Sequence, residues 1–75
     1  MAVLQMPKMG DAMEEGTILR WLKNEGDYVE EMEIIAEVQT EKATIEIPAT
    51  EAGILTRILV REGQTVPDET PIAQL

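Results

Sequence analysis

Two stretches of the chain repeat each other at an offset of 37 residues. When residues 16–38 are laid over residues 53–75, eight of the 23 positions are identical. These identical pairs are Gly16/Gly53, Arg20/Arg57, Leu22/Leu59, Glu25/Glu62, Gly26/Gly63, Val29/Val66, Ile35/Ile72 and Ala36/Ala73. Self-similarity at a fixed offset indicates repeated supersecondary units that bury one shared core. We therefore expect two copies of one unit, related by an approximate two-fold axis.

The upstream ends of the two copies also match, at a slightly larger offset. Met6-Pro7 corresponds to Ile47-Pro48 at an offset of 41, which is four more than the offset that follows. The loop after Met6-Pro7 is therefore expected to be four residues longer than its counterpart.

Each copy has the pattern of short strands. Apolar and polar residues alternate over residues 33–40 and 43–47, as in strands with one buried face. Residues 17–23 and 54–60 are rich in large apolar residues without clean alternation, which predicts a bulge or burial on both faces. Glycines and prolines separate these segments and interrupt any long helix. The sequence predicts one all-β domain over residues 1–75, a small flattened barrel or sandwich of two antiparallel sheets with internal pseudo-two-fold symmetry.

The repeat also predicts where the ends of the molecule lie. Strands 34–38 and 43–47 should form a hairpin with Lys42 at its tip, although the turn lacks the Asn-Gly or Asp-Gly of many tight hairpins. In the second copy the corresponding strand ends at Leu75. The two termini are therefore expected side by side, at the end of the molecule opposite Lys42.

The core is expected to come from residues that the two copies share. Val29 and Val66, and likewise Ile35 and Ile72, should occupy equivalent buried sites. Trp21 is also expected in the core, since an isoleucine stands at its place in the second copy.

The residue inventory excludes several classes of function. The chain contains no serine, cysteine or histidine, so it lacks the usual hydroxyl and thiol nucleophiles, their imidazole base and the ligands of structural zinc sites. The acidic residues form no calcium-loop pattern, and we expect no metal site. A net charge of −9 disfavours nucleic acids and anionic membrane surfaces as partners. Lack of cysteine and of a signal-peptide pattern favours the cytoplasm of a bacterium or archaeon, or the mitochondrial matrix.

The three lysines are the candidates for covalent modification. Lys8 opens a loop, and Lys23 aligns with Val60, so the repeat does not require it. Lys42 alone lies at a predicted hairpin tip. From the residues alone, a solvated turn lysine that balances Glu41 is the favoured interpretation, since most lysines do only that.

The run EVQTEKATIE, residues 37–46, resembles the lipoyl-attachment hairpin of the lipoyl domains of 2-oxo acid dehydrogenase complexes. In that family an acidic residue, the lipoylated lysine and often an alanine form the tip, and here they are Glu41, Lys42 and Ala43. Further matches, in chain order, are Met6-Pro7, residues 13–18, Trp21-Leu22, residues 25–29, Gly53, Glu62-Gly63 and Val66-Pro67. The methionine-rich start and Trp21 most resemble acetyltransferase subunits of pyruvate dehydrogenase complexes.

Two positions depart from the family pattern. Aspartate is commoner than glutamate at the position of Glu41, and the family often has glycine in the turn near Met32.

The resemblance implies a lipoyl-carrier domain with lipoate in amide linkage to Lys42 and no catalytic group of its own. The lipoate of such domains shuttles acyl groups and reducing equivalents between the active sites of a 2-oxo acid dehydrogenase complex, here by resemblance the pyruvate complex with its dihydrolipoamide acetyltransferase. The implied partners are a thiamine-diphosphate-dependent 2-oxo acid decarboxylase, an acyltransferase catalytic domain, dihydrolipoamide dehydrogenase, and a lipoate ligase or transferase. The isolated domain is expected to be a monomer.

The protein surface beside the lysine is expected to select these partners. The residues implied are Glu41 and Ala43 next to Lys42, and Asp11, Glu14 and Glu15 in the longer loop. The pseudo-two-fold symmetry predicts that this loop lies near the lysine tip.

Two other classes of function remain open. One is a biotin carrier of the same fold. The hairpin tip of biotinyl domains, however, typically has a sequence like Met-Lys-Met, whereas this chain has Glu41-Lys42-Ala43. The other is an unmodified β-sandwich adaptor. The enzyme that modifies Lys42, and whether any mass is added there, distinguishes the three classes.

Overall fold

A computed structural model of the chain describes residues 2–8 and 14–75. These residues form nine short strands and no helix, so the described part of the chain has no helix that could cross a membrane. The strands are β1 (Val3–Gln5), β2 (Glu15–Trp21), β3 (Tyr28–Val29), β4 (Ile34–Gln39), β5 (Thr44–Pro48), β6 (Gly53–Ile54), β7 (Arg57–Ile58), β8 (Thr65–Pro67) and β9 (Pro71–Gln74). The predicted all-β class is confirmed.

The strands pair into a four-stranded sheet of order β5-β4-β2-β8, a three-stranded sheet of order β1-β9-β7, and a β3-β6 ribbon. All pairings are antiparallel. The predicted strand 54–60 is interrupted, and its two pieces, β6 and β7, together correspond to β2. The ribbon and the three-stranded sheet are thus the second copy of the four-stranded sheet.

The strand register confirms the pseudo-two-fold symmetry. Gly16 pairs with Val66 between β2 and β8, and Val29 pairs with Gly53 between β3 and β6. The repeat equates the two glycines and the two valines, so each pair is the image of the other. The bulge predicted in β2 is also present, as a register shift between Ile18 and Arg20.

The structure corrects the match of Met6-Pro7 to Ile47-Pro48. Leu4 pairs with Ala73, and Ile47 pairs with Ala36, the residue that the repeat equates with Ala73. Leu4 therefore corresponds to Ile47, and the offset between β1 and β5 is 43 rather than 41. The longer loop therefore exceeds its counterpart by six residues instead of four. A slip of two residues leaves the same side chains on the buried face, so the hydrophobic pattern could not distinguish the two alignments.

Buried apolar side chains of the described residues form one cluster between the sheets. They are Leu4, Met6, Ile18, Val29, Ile35, Ala36, Val38, Ile47, Ala49, Leu55, Ile58, Val60, Ile72, Ala73 and Leu75. Val29, Ile35 and Ile72 are fully buried, as predicted. The prediction is wrong for Val66, which is only half-buried and packs against the margin of the cluster, whereas the equivalent Val29 is fully buried. Trp21 is half-buried and packs against the cluster.

The chain termini lie side by side, as predicted, because β1 pairs with β9 and brings Val3 opposite Gln74. The tip of the β4–β5 hairpin lies beside the start of β2, where Gln39 pairs with Thr17. From there β2 runs away from the tip toward the β3–β6 ribbon. The N–H of Thr56, two residues after this ribbon, donates a hydrogen bond to the carbonyl of Gln74 (2.8 Å). Lys42 and the termini therefore lie at opposite ends of the molecule.

Candidate functional site at the Lys42 hairpin

Lys42 lies at the tip of the β4–β5 hairpin, as the sequence predicts. The last cross-strand pair is Gln39 with Thr44, and the N–H of Thr40 donates to the carbonyl of Ala43 (2.8 Å). The lysine side chain is exposed and forms no ion pair with a described residue. Its amine is therefore accessible to a modifying enzyme.

The hydroxyl of Thr40 closes this turn from within. Its Oγ1 accepts hydrogen bonds from the main-chain N–H groups of Lys42 (3.2 Å) and Ala43 (3.1 Å). The same oxygen donates its proton to the carbonyl of Ala43 (2.9 Å). Hydroxyl side chains that bond the main chain two or three residues further on stabilise turns. Thr40 was not among the site residues predicted from the sequence, and the signal that could have revealed it is a threonine two residues before the lysine.

The turn does not need a left-handed backbone. Among the described non-glycine residues, only Met32 and Glu69 have positive φ, so Glu41 and Lys42 have ordinary negative values. This is why the hairpin forms without the Asn-Gly or Asp-Gly pair that two-residue loops require.

Two side chains brace the base of the turn on its outer side. Thr44 Oγ1 donates to Gln39 Oε1, and Gln39 Nε2 donates to the carbonyl of Thr40, both at 2.8 Å. The first bond connects β4 with β5 just below the lysine, and the second fixes the Gln39 side chain to the start of the turn. They support the tip from both strands.

The other two lysines lie in different surroundings. Lys23 Nζ is 3.3 Å from Glu33 Oε2, and its side chain is only 28% exposed. Lys8 is exposed but lies in the loop after β1, outside any hairpin turn. Of the three lysines, only Lys42 combines exposure with a braced turn.

A groove connects the hairpin tip with the end of the longer loop. Its lining comes from the loop end, β2, the hairpin and β8, namely Glu14, Glu15, Thr17, Gln39, Thr40, Glu41, Thr65 and Pro67. Thr17 Oγ1 and Thr65 Oγ1 form a hydrogen bond across it at 2.7 Å. The predicted approach of the loop to the lysine tip is confirmed for Glu14 and Glu15, whereas Asp11 lies outside the described residues.

A buried carboxylate fixes the loop end at this groove. Asp68, only 4% exposed, donates its main-chain N–H to the carbonyl of Glu14 (2.8 Å). The N–H of Glu14 in turn faces Asp68 Oδ2 at 3.4 Å. Asp68 was not among the site residues predicted from the sequence.

The groove is electrostatically negative. Glu14, Glu15 and Glu41 contribute three carboxylates, and none of them pairs with a cation of the described residues. Like charges lining one cleft reinforce the local potential. The groove therefore favours a positively charged group of a binding partner.

Comparison with known proteins relates the chain to one family. A family model described as "Biotin-requiring enzyme", which covers biotin- and lipoyl-attachment domains, matches residues 2–75. A match over nearly the whole chain shows that it belongs to this family.

Curated relatives are similar over most of this chain. It is 46% identical over 71 residues to the pyruvate dehydrogenase E1 component subunit beta of Rhizobium meliloti, which covers 93% of this chain and 15% of that protein. It is 45% identical over 73 residues to the dihydrolipoyllysine-residue acetyltransferase component of the pyruvate dehydrogenase complex of Rickettsia bellii, covering 96% and 18%. It is 42% identical over 66 residues to the dihydrolipoyllysine-residue succinyltransferase component of the 2-oxoglutarate dehydrogenase complex of Bacillus subtilis, covering 88% and 16%. The chain thus spans less than a fifth of the length of these relatives.

Among solved structures, the lipoyl domain of the 2-oxoglutarate dehydrogenase complex from Azotobacter vinelandii, determined by NMR, has the same fold. The TM-score is 0.80 at 28% identity, over 99% of this chain and 95% of that domain. Fold and length agree with the family match. The chain is therefore a member of the biotin- and lipoyl-attachment family and, within it, a lipoyl domain.

Proposed function

We propose that Lys42 is the lipoylated residue and that the domain works as a mobile carrier. The observation behind this proposal is the exposed lysine, free of ion pairs with described residues, on a hydrogen-bonded turn at the hairpin tip. The attachment chemistry needs only an accessible primary amine, which Lys42 Nζ supplies. The amide bond that forms would leave the lysine without its charge.

Lipoate, when bound, supplies a disulfide that can accept an acyl group together with two electrons. The residues of this chain hold and present that group, and none of them needs to act as acid, base or nucleophile. The β4–β5 hairpin places the attachment point at an exposed end of the four-stranded sheet. Tethering through the domain raises the effective concentration of the group at each active site it visits.

The direct test is the intact mass after incubation with a lipoate ligase, lipoate and ATP. We expect wild-type protein to gain one lipoyl group and Lys42→Arg to gain none, while Lys8→Arg and Lys23→Arg behave as wild type. Circular dichroism should show all variants folded, because exposed charges contribute little to stability. Lipoyl amide on Lys8 or Lys23, or no modification of folded wild type, would contradict the proposal.

Biotin attachment is the second candidate, because the matched family also covers biotin-requiring enzymes. A parallel incubation with a biotin ligase decides between the two. We expect no biotin on this chain, since Glu41 and Ala43 flank the lysine, whereas the biotinylated lysine of biotinyl domains typically lies in a sequence like Met-Lys-Met. An unmodified adaptor would show no added mass with either ligase.

The proposed parent protein is an acyltransferase of a 2-oxo acid dehydrogenase complex, with pyruvate as the 2-oxo acid. Relatives named for both the pyruvate and the 2-oxoglutarate complexes match the chain, and those named for pyruvate do so at 45% and 46% identity against 42%. The proposed partners are a thiamine-diphosphate-dependent decarboxylase, the acyltransferase catalytic domain, dihydrolipoamide dehydrogenase, and a lipoate ligase or transferase. Acylation by the decarboxylase components for pyruvate and for 2-oxoglutarate, compared in parallel, tests the choice of 2-oxo acid.

The acidic groove beside Lys42 is the proposed recognition surface, with Glu14, Glu15 and Glu41 as its charged groups and Asp11 in the loop leading to it. The pseudo-symmetry supports this assignment. The cross-strand pair that corresponds to Thr17 and Thr65 at the far end of the molecule consists of Ile54 (46% exposed) and Tyr28 (54% exposed). Strand pairing therefore does not require a pair of threonines at this position. Of the two symmetry-related positions, the one beside the lysine carries the hydrogen-bonded threonine pair.

A further inference from the structure

We infer that Thr40 is a positioning residue for the modification of Lys42. Its hydroxyl fixes the direction in which the lysine leaves the turn. The inference rests on the proposed lipoylation of Lys42 and assigns a role to a residue that the family resemblance did not single out.

The hydrogen bonds of the turn carry this inference. One oxygen, Thr40 Oγ1, accepts from two consecutive main-chain N–H groups, those of Lys42 and Ala43. The cross-strand ladder ends at Gln39 and Thr44, and neither N–H has a main-chain acceptor among the described residues. Removing the hydroxyl therefore leaves both N–H groups to solvent. The backbone of Lys42 would lose the bond that sets its orientation.

The Thr40 side chain also couples the two arms of the hairpin. Its hydroxyl and its main-chain N–H both donate to the carbonyl of Ala43, at 2.9 and 2.8 Å. Its own carbonyl accepts from Gln39 Nε2 (2.8 Å). Thr40 is half-buried, whereas residues 41–44 are exposed. It is the inward-facing residue of an otherwise solvated tip.

Positioning matters here because the lysine must enter the active site of another enzyme. An attachment point held in one geometry needs no ordering when the ligase binds, and reactions between groups held in the right geometry are faster. The hydrogen bonds of the Thr40 hydroxyl all go to main-chain groups of the turn. It acts on the modification through the orientation of Lys42.

The test compares Thr40→Val, which keeps the shape but removes the hydroxyl, with Thr40→Ser, which keeps the hydroxyl. The first readout is hydrogen exchange at the N–H groups of Lys42 and Ala43, which does not depend on lipoylation. We expect exchange to accelerate about five- to tenfold in Thr40→Val, which is the factor in an equilibrium constant that corresponds to the free energy of one ordinary hydrogen bond. Thr40→Ser should restore most of the protection. Thr50→Val, at an exposed threonine outside the hairpin turn, is the control and should change neither N–H.

The second readout is the steady-state rate of lipoylation. We expect kcat/KM of the ligase to fall about five- to tenfold for Thr40→Val and to recover in Thr40→Ser, with circular dichroism and the melting temperature close to wild type. Thr44→Val, which removes only the bond to Gln39, should lower kcat/KM by a smaller factor. If Thr40→Val does not fold, Thr44→Val takes its place in the comparison. Unchanged exchange, or unchanged kcat/KM despite faster exchange, would overturn the inference while leaving the lipoylation of Lys42 intact. Absence of lipoylation in folded wild type would instead contradict the proposed function, and the exchange measurement would still decide the role of Thr40 in the turn.

Discussion

Oε2 of Glu25 accepts a hydrogen bond from the main-chain N–H of Ile58 at 2.8 Å. Glu62, the corresponding residue of the second copy, accepts from the N–H of Trp21 at 3.0 Å. Each glutamate thus belongs to one copy and binds the strand of the other. These reciprocal hydrogen bonds between the two copies explain why glutamate is one of the eight identities of the repeat.

The Glu25 bond should matter more than its pseudo-symmetric partner. The N–H of Ile58 is partly buried, whereas the N–H of Trp21 is exposed to water, which can replace the lost carboxylate. We expect Glu25→Ala to lower the free energy of unfolding by about 1–2 kcal/mol and Glu62→Ala by less. Urea unfolding measures both, with Glu51→Ala, an exposed glutamate, as the control. Equal losses in the two variants would show that burial of the donor does not set the cost.

Part of this fold could be predicted from the sequence because the repeat constrains it. Identical residues such as Gly16 and Gly53 fixed the alignment from residue 16 onward, and the structure preserves it in every pairing of those strands. The first strand was misaligned because a slip of two residues keeps the same face buried. The strand register could be predicted where the two copies share identical residues. It could not be predicted where they share only the alternation of apolar and polar residues.

The site was predictable to a similar extent. Lys42 could be placed from strand periodicity and the family resemblance, and the approach of Glu14 and Glu15 followed from symmetry. Thr40 and Asp68 were missed because their roles come from hydrogen bonds of side chain to main chain, which leave no periodic pattern. Such contacts depend on the local path of the backbone and become visible only in three dimensions.

Gly16 and Gly53 offer a matched pair for testing the core. A Cβ at Gly16 would lie 2.7 Å from Met6 Sδ and 2.8 Å from Val38 Cγ1, whereas a Cβ at Gly53 meets nothing within 4 Å. We expect Gly16→Ala to lower the free energy of unfolding by about 1–3 kcal/mol through overpacking. Gly53→Ala should leave it unchanged or raise it by up to about 1 kcal/mol, because the unfolded chain loses freedom. Thermal and urea unfolding of both variants check this, and a Gly16→Ala protein as stable as wild type would contradict the packing.

Met32 occupies a position where the family often has glycine. Its φ is 70°, and its side chain is 68% exposed, so it has left-handed backbone strain without much compensating burial. We expect Met32→Gly to raise the free energy of unfolding by about 0.5–1 kcal/mol, since relief of strain exceeds the added entropy of the unfolded chain. Glu31→Gly, at a neighbour with ordinary φ, should lower it. The prediction is wrong if both glycine variants are destabilised alike.

Glu33 should make stability depend on pH in the acid range. The hydrogen bond from the main-chain N–H of Glu30 (2.8 Å), helped by Lys23, lowers the pKa of Glu33 below its ordinary value of 4.5. A carboxyl whose pKa is lowered by folding stabilises the protein above the unfolded value, and this contribution disappears as the pH falls through the folded value. Glu33→Gln should therefore be less stable than wild type near neutrality and equally stable well below pH 4.5. An NMR titration of Glu33 and unfolding at both pH values test this, with Glu31→Gln as the control for lost charge.

Recognition by the decarboxylase is the property that separates a carrier from a bare scaffold. A free lysyl-lipoate has the same reactive group, so any preference for this domain must come from protein surface. The carboxylates of Glu14 and Glu15 lie in the groove beside the lysine tip and pair with no cation of the described residues. They can therefore attract a positively charged surface near the decarboxylase active site, an attraction that salt weakens.

Neutralising these two charges should slow reductive acylation of the lipoylated domain. We expect Glu14→Gln/Glu15→Gln to reduce the rate about three- to tenfold at low ionic strength, a modest share of what electrostatic steering can supply, and to flatten its salt dependence. The double variant Glu31→Gln/Glu51→Gln removes the same charge from exposed positions that lie outside the groove, and it should acylate at close to the wild-type rate. Lipoylation and melting temperature should change little in either variant, because exposed charges contribute little to folding. If both double variants slow acylation equally, net charge alone steers the encounter; if neither does, the groove takes no part in recognition.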